Sequence, residues 1–299
     1  MRGSRVSSLR RLRDVSALVA VGLALAACST PPPSSAAQVG DVSISEATIF
    51  GRTSTLVQAQ QSASTTTVTP GGVADVNRTQ TTAAIRGQLL DIAAADEGVQ
   101  VTDADVNAAL GKADKASAAS QLGVPESAVQ QTLRDLLRLE GMAAKLPIKG
   151  AVVTDVRVRV DGVTVGSRDE AVATRSQFLA DPAAVDQLIM ASAKPVRAQP
   201  LSLLTTPSAG PTGVFNAAVG DVILYPSPDG YLVLRILGRS VEPARLTAAA
   251  LKAQPISGAF DLGALLLVPY AQQAGVSVNP RLGGWDPYAL QVVPGGSGL

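Results

Sequence analysis

The hydrophobic residues of this chain keep one period up to Lys149-Gly150 and another beyond it, and that switch limits what the chain can fold into. Ile85, Leu89 and Ile92 with Leu90, and later Val129, Leu133, Leu136, Leu137 and Leu139 or Ala144, fall three and four residues apart. That is the spacing of one buried face of an α-helix, so residues 45–146 are expected to be mostly helical. After Gly150, Val156, Val158 and Val160 alternate with Arg157, Arg159 and Asp161, the period of a half-buried strand. A helical part followed by a mixed part predicts the α+β class.

Local signals divide these parts further. Val39-Gly40-Asp41-Val42-Ser43-Ile44 alternates around a Gly-Asp turn signal, and Ser45 suits a helix N-cap. Ser62 to Gly72 reads as a loop, Val73 to Glu97 as a helix stopped by Gly98, and Thr102-Asp103-Ala104-Asp105 as an acidic capping box opening a helix that ends near Gly111. Pro125 and Glu126 suit a first helical turn, with a stop at Pro147. The Asp161-Gly162 pair before Val163-Thr164-Val165 leaves one strand or a hairpin open. Ser167 with Asp169 and Glu170, then Asp181-Pro182, open two helices, and a Pro-rich passage from Pro195 to Pro211 follows. Asp221–Tyr225 and Tyr231–Leu237 form a final pair of strands, and a helical stretch from about Pro243 to Ala274, interrupted near Pro255 and Gly258, precedes Val276-Ser277-Val278-Asn279.

The chain has no histidine and one cysteine, Cys28. Catalysis by a His base, Ser-His-Asp or Cys-His triads and Cys/His zinc sites are therefore excluded, as is an intrachain disulfide. Neither a Walker-type phosphate loop nor a dinucleotide fingerprint is present. Asp103 with Asp105, and Asp169 with Glu170, stand at expected helix starts, where the macrodipole favours carboxylates, so capping rather than catalysis is their expected role. Trp285 in Gly283-Gly284-Trp285-Asp286-Pro287 is read as a rigid plug over the edge of the helical part. Arg157, Arg159 and Arg235 are read as solvent-facing alternates of strands, and Asn77-Arg78-Thr79 as a chance sequon.

The N-terminal segment has the form of a secretory signal. Arg2, Arg5, Arg10, Arg11 and Arg13 precede an apolar run from Val15 to Ala27, which as a helix spans about 20 Å, short of the roughly 30 Å hydrocarbon core. Leu25-Ala26-Ala27-Cys28 resembles the lipobox of bacterial lipoproteins. The resemblance implies cleavage before Cys28, lipidation of its thiol and anchoring by two or more acyl chains. Without residues 1–27 the chain turns weakly acidic, and no basic cluster remains, so nucleic acid is not an expected partner.

Three separated patches carry a wider resemblance: Val39-Gly40-Asp41-Val42-Ser43-Ile44-Ser45, Gly98-Val99-Gln100-Val101-Thr102-Asp103, and Val276-Ser277-Val278-Asn279-Pro280-Arg281-Leu282-Gly283-Gly284-Trp285-Asp286. In that order they resemble the SurA/PrsA-type extracytoplasmic foldases over about residues 38–290. Ahead of this stretch, the signal occupies residues 1–27, and the Pro/Ser-rich composition of residues 28–37, with Pro31-Pro32-Pro33, reads as an extended tether. The resemblance implies a helical SurA N-terminal-like chaperone domain at 38–149, closed by its C-terminal segment 243–290, in which residues 39–44 pair with 276–279. A parvulin-like α+β domain is inserted at 150–242, and residues 291–299 form a flexible tail. Gly213–Val222 resembles the short last helix and turn of that inserted domain, and Gly230–Ile236 its final strand.

Active parvulins carry a histidine directly after the aromatic residue of that strand; here Leu232 follows Tyr231. A second histidine, expected near Val156 to Val160, is missing too. The parvulin-like part is therefore expected to be degenerate, with no catalytic residues, cofactor or metal, and the missing histidines argue against prolyl isomerase catalysis. The implied function is a chaperone, lipid-anchored through Cys28 to the outer side of a bacterial cell membrane, with unfolded or folding secreted polypeptides as partners. Two alternatives remain: a structural or interaction lipoprotein with a dedicated envelope partner, and an active peptidyl-prolyl cis-trans isomerase.

Overall fold

A computed structural model describes residues 34–63, 69–111, 114–122, 124–146, 150–227, 229–253 and 256–294. Elements follow in the order β1 (Ser35–Val39), β2 (Val42–Ser45), α1 (Glu46–Ala63), α2 (Pro70–Asp96), α3 (Asp103–Leu110), α4 (Lys115–Leu122), α5 (Val129–Ala144), β3 (Ala151–Val165), α6 (Arg168–Ala180), α7 (Val185–Ala191), β4 (Pro195–Ser202), β5 (Val222–Ser227), β6 (Gly230–Leu246), α8 (Ala248–Lys252), α9 (Ile256–Ala264), α10 (Val268–Ala274), β7 (Val276–Val278), β8 (Gly284–Asp286) and β9 (Gln291–Val293). Short 3-10 helices lie at Glu126–Ala128, Pro207–Thr212 and Leu265–Leu267. The protein is α+β. The proposed signal at 1–27, Cys28, the first tether residues, Pro147, Pro255 and residues 295–299 lie outside the described residues.

α2 is the spine of the helical part. Its start lies at Pro70 because the Thr69 hydroxyl accepts a hydrogen bond from Gly72 N at 3.2 Å and proline suits the first helical position. Its 27 residues extend about 40 Å. Thr81, Ile85, Leu89 and Ala93 make one buried stripe along it. α3 has the expected reciprocal cap: Thr102 Oγ1 accepts from Asp105 N, and Asp105 Oδ2 accepts from Thr102 N at 2.8 Å. α5 crosses α2 and is tied to it by Arg138, which reaches Asp91 at 2.6 Å and its own neighbour Asp135 at 3.5 Å.

The two ends of the described chain meet in a three-stranded sheet of order β2-β1-β7. Gly40-Asp41 turns β1 into β2, with Val39 opposite Val42, and β1 pairs on its other edge with β7, placing Val39 opposite Val276 and Ala37 opposite Val278. The pairing expected between 39–44 and 276–279 is corrected: Ala37–Val39 pair with Val276–Val278, and of 39–44 only Val39 takes part, because residues 42–45 pair with the other edge of β1. The tether is correspondingly shorter than 28–37, because Ser35, Ala36 and Ala37 are buried at 1%, 0% and 0% exposure in β1. Apolar alanines in a central strand are favoured over a solvated extended chain.

The second sheet has the order β4-β3-β6-β5, all antiparallel. Five readings are resolved here, the first an open alternative and the other four corrections. Asp161-Gly162 does not turn the chain: β3 runs through it, and a Cβ on Gly162 would lie 1.9 Å from the Val233 carbonyl oxygen of β6. Pro195 to Ser202, read as a linker, forms edge strand β4, where prolines are tolerated because no ladder partner lies outside. β6 continues to Leu246, past the expected boundary at 242–243, because its far half pairs with Ala151–Asp155. Residues 291–293 form β9 rather than a tail, each buried and paired with β8.

Arg235 is the fifth. It faces Asp161 across the β3–β6 ladder in a two-pronged contact, Nε to Oδ1 at 3.0 Å and Nη2 to Oδ2 at 2.7 Å, and also reaches Asp186 at 2.6 Å. Both partners of the fork are mostly covered, so it ties α7 to the sheet rather than facing water. Arg157 and Arg159 are exposed as expected.

The C-terminal strands return to α2. Arg86 donates to Leu290 O at 2.9 Å and Ala289 O at 3.0 Å and pairs with Asp261 of α9 at 2.8 Å, while Thr82 Oγ1 accepts from Val292 N at 2.8 Å. Leu290 is fully buried with φ +50, a strained conformation that Arg86 holds by its carbonyl. Trp285 is partly buried and packs on the main core, in keeping with its reading as a plug.

One core runs from the helices onto the sheet. Ile49, Ile85, Leu89 and Leu265 share it with Val156, Val158, Val160, Phe215 and Ile236. A second core, Val163, Val165, Phe178, Val185, Ile189 and Val233, lies beneath α6 and α7 on the opposite sheet face.

Three outcomes follow for stability, each read by urea or thermal unfolding. Gly162→Ala drives a methyl into backbone and is expected to cost about 3 kcal/mol or more. Arg235→Met leaves Asp161 buried and uncompensated, a loss of about 3–5 kcal/mol, of which the double variant with Asp161→Leu recovers most. Burial pushes the Asp135 carboxyl up to about 6 from 3.8, outweighing the opposing pull of Arg138 and the Gln131 hydrogen bond. The folded state holds this proton more tightly than the unfolded chain, so the penalty is absent below about pH 4 and complete above about pH 6. Asp135→Asn is therefore expected to stabilise by about 1–2 kcal/mol at pH 7 and to flatten the fall in stability between pH 4 and 6.

Candidate functional site

The β3–β6–β5 register decides which side chains share a surface. Val163, Val165, Val222 and Val233 point into the core under α6 and α7. On the opposite face stand Gly162 and Thr164 of β3, Leu232 and Leu234 of β6, and Ile223 and Tyr225 of β5. Leu232 lies opposite Thr164 on one side and Tyr225 on the other.

The first-strand position beside Leu232 is Thr164, with Gly162 diagonal to it, and not a residue between Val156 and Val160. Val156, Val158 and Val160 pair with Val241, Arg239 and Ile236, farther along β6, and are buried against the helical part. The sequence reading aligned the start of the alternating run, whereas the strand extends through Gly162 because that glycine has no side chain to collide with β6.

The chemistry of the face is limited by these residues. It offers the hydroxyls of Thr164 and Tyr225 among glycine and leucine, and no group that titrates near neutrality. Burial, together with the charge of Asp75, raises the Tyr225 phenol above its ordinary value, so it stays protonated and acts as a hydrogen-bond donor or acceptor. Proton transfer at neutral pH has no carrier on this surface.

Beside Tyr225 a cleft of about 370 Å³ opens between α2, β5 and the C-terminal strands. Its charged walls are paired: Arg78 with Asp75, and Arg86 with Asp261. A second cleft of about 270 Å³ lies on the other side of β5, between Arg175, Asn216, Asp221 and Gly284. A third, about 430 Å³, sits where β3 leads into α6, bounded by Val165, Glu170, Phe178, Leu188 and Lys194. Several apolar side chains stand in solvent nearby: Val172 and Leu179 on α6, and Met190 on α7 at 67% exposure.

The acidic residues stand in the first turns of α3 and α6. Asp103 meets Arg134 of α5, Asp105 completes the α3 cap, and Glu170 accepts from Gly166 N at 3.1 Å while its own N–H is capped by Ser167. Asn77 lies within α2. Among the described residues no cluster suited to a metal ion occurs, and no helix is long and apolar enough to cross a membrane. Sequence reasoning did not single out Thr164, Tyr225 or the Asp161–Arg235 fork; residues 74 positions apart become neighbours only through strand register.

Compared with known proteins, the chain matches no family model and no curated protein. Among solved structures it has a weak likeness to the peptidylprolyl isomerase PrsA from Bacillus anthracis, at 14% identity, covering 66% of this chain and 97% of that one, with a TM-score of 0.24.

Proposed function

We propose that this protein is a lipid-anchored extracytoplasmic chaperone of foldase type, which holds unfolded or partly folded secreted polypeptides without isomerising their prolyl bonds. The observation that carries the reading is the sheet face around Leu232. In a chain whose patches resemble the SurA/PrsA-type foldases, that face presents glycine, threonine, tyrosine and leucine where an isomerase of that resemblance has histidines. Lowering a barrier of about 18–20 kcal/mol needs a placed polar constellation, and two hydroxyls on an apolar face are a poor one.

The arrangement proposed from the resemblance, a helical domain closed by its own C-terminal segment around an inserted parvulin-like unit, is supported by the pairing of β1 with β7 and by the seating of β8 and β9 on α2. Holding of clients is supported by the exposed apolar side chains and by the open clefts beside β5 and α6. Placement at the membrane rests on the sequence around Cys28.

The test is twofold. Light scattering of an aggregating model protein is recorded with and without residues 29–299, against an inert protein of equal size, and a proline-limited refolding step is followed in parallel. Suppression of aggregation at near-stoichiometric amounts, with no acceleration of refolding, is the expected result. No suppression at large excess would transfer the reading to a dedicated envelope partner, and accelerated refolding would restore the isomerase.

A further inference from the structure

We propose that the end of the molecule built from β1, β2, the first turns of α1 and the loop after β7 is a membrane-facing surface, seated at headgroup level on an anionic bilayer. The proposal rests on the reading of Cys28 as the lipid anchor and adds to it an orientation and a set of contact residues.

The argument starts from chain length. Ser35 is buried in β1, and Ser34 is already fixed, its carbonyl accepting from Glu46 N at 2.9 Å. The link between Cys28 and the folded body is therefore residues 29–33, and the distance from Cys28 to Ser34 is at most about 20 Å at full extension. A body of this size has a radius of gyration of about 18 Å, hence a diameter of more than 40 Å, and the headgroup layer itself takes up about 5–8 Å of the link. The anchor is too short for the molecule to turn its far side to the lipid, so the Ser34 end stays against the surface.

The residues at that end have the chemistry such a surface requires. Asn279, which follows β7, binds Ser35 O at 3.2 Å, Glu46 Oε1 at 2.8 Å and, through its backbone, Ala36 O at 2.9 Å, so the Pro280-Arg281 loop is fixed beside the exit of the link. Arg281 is exposed. Phe50 stands one helical turn beyond Glu46 and is 44% exposed, and exposed Arg52 follows it. Arg281 has no ion-pair partner among the described residues, Glu46 is engaged by Asn279, and the exposed carboxylate of Asp41 lies at the other end of the β1–β2 hairpin, away from the link. An exposed aromatic ring one turn into α1 and an unpaired guanidinium on the loop fixed at the exit of the link suit the polar boundary of a bilayer with anionic lipid.

The test uses the full lipidated chain in vesicles of phosphatidylcholine and phosphatidylglycerol carrying a headgroup quencher. Cys28 is the only cysteine, so once it bears lipid, one added cysteine takes a fluorophore alone. Probes at Phe50→Cys and, separately, Arg281→Cys are expected to be quenched several-fold more than one at Met190→Cys, which lies on α7 beneath the other core. With the probe at Phe50→Cys, Arg281→Glu is expected to weaken quenching in the mixed vesicles and to leave it unchanged in phosphatidylcholine alone. Equal quenching at residues 50, 281 and 190 on protein whose Cys28 peptide carries the diacylglyceryl mass overturns the orientation and leaves the anchor standing. Absence of that mass overturns the anchor and the orientation together.

Discussion

β1 is held on both edges by strands from opposite ends of the described chain, β2 directly after it and β7 some 240 residues later, and the remaining structure depends on that closure. Joining segments so distant carries a loop-closure entropy of about 5 kcal/mol. Two backbone ladders, the burial of Ala36, Ala37 and Val39, and the Asn279 contacts to Ser35, Ala36 and Glu46 offset it. Once β7 is in place, the chain that follows has a short path to α2, where Arg86 and Thr82 receive the backbone of residues 289–292. The C-terminal segment is therefore a structural part of the helical half.

The sheet half is not an independent appendage. Val156, Val158 and Val160 turn toward Ile85 and Leu89, and a single core crosses from α2 to β3 and β6. The more distal part of the same strands belongs to a separate core under α6 and α7. On the face opposite that second core, continuous with the main core, stand Thr164, Leu232 and Tyr225, the last at a cleft whose other wall is α2. A long two-layer strand pair thus divides its length into an anchored half and a presenting half, with Gly162, where β6 comes closest, near the division.

Much of the architecture is legible in the residues. The helical period before Gly150 and the alternating period after it, the caps at Thr102 and Ser167, and the turns at Gly40-Asp41 and Asp229-Gly230 are local, so neighbouring residues specify them. β4 and β9 were not legible, because Pro195–Ser202 and Gln291–Val293 have weak local patterns and become strands only when a partner supplies the ladder. Asp161-Gly162 has the composition of a turn, yet contact with Val233 makes its glycine a strand residue. The candidate face suffered the same difficulty: alternation places Val156 and Thr164 on the same side of β3 but does not say which of them meets Leu232.

What the sequence by itself determined is the class of fold, the positions of most helices and the chemical inventory. With no histidine and one cysteine, composition alone limits the kinds of catalysis open to the chain. Only the tertiary structure decided which residues share a surface, how short the link from Cys28 is, and that Arg235 is a covered structural tie. Those are properties of register and burial, set by the packing of segments far apart in the chain, and no local window of residues contains them.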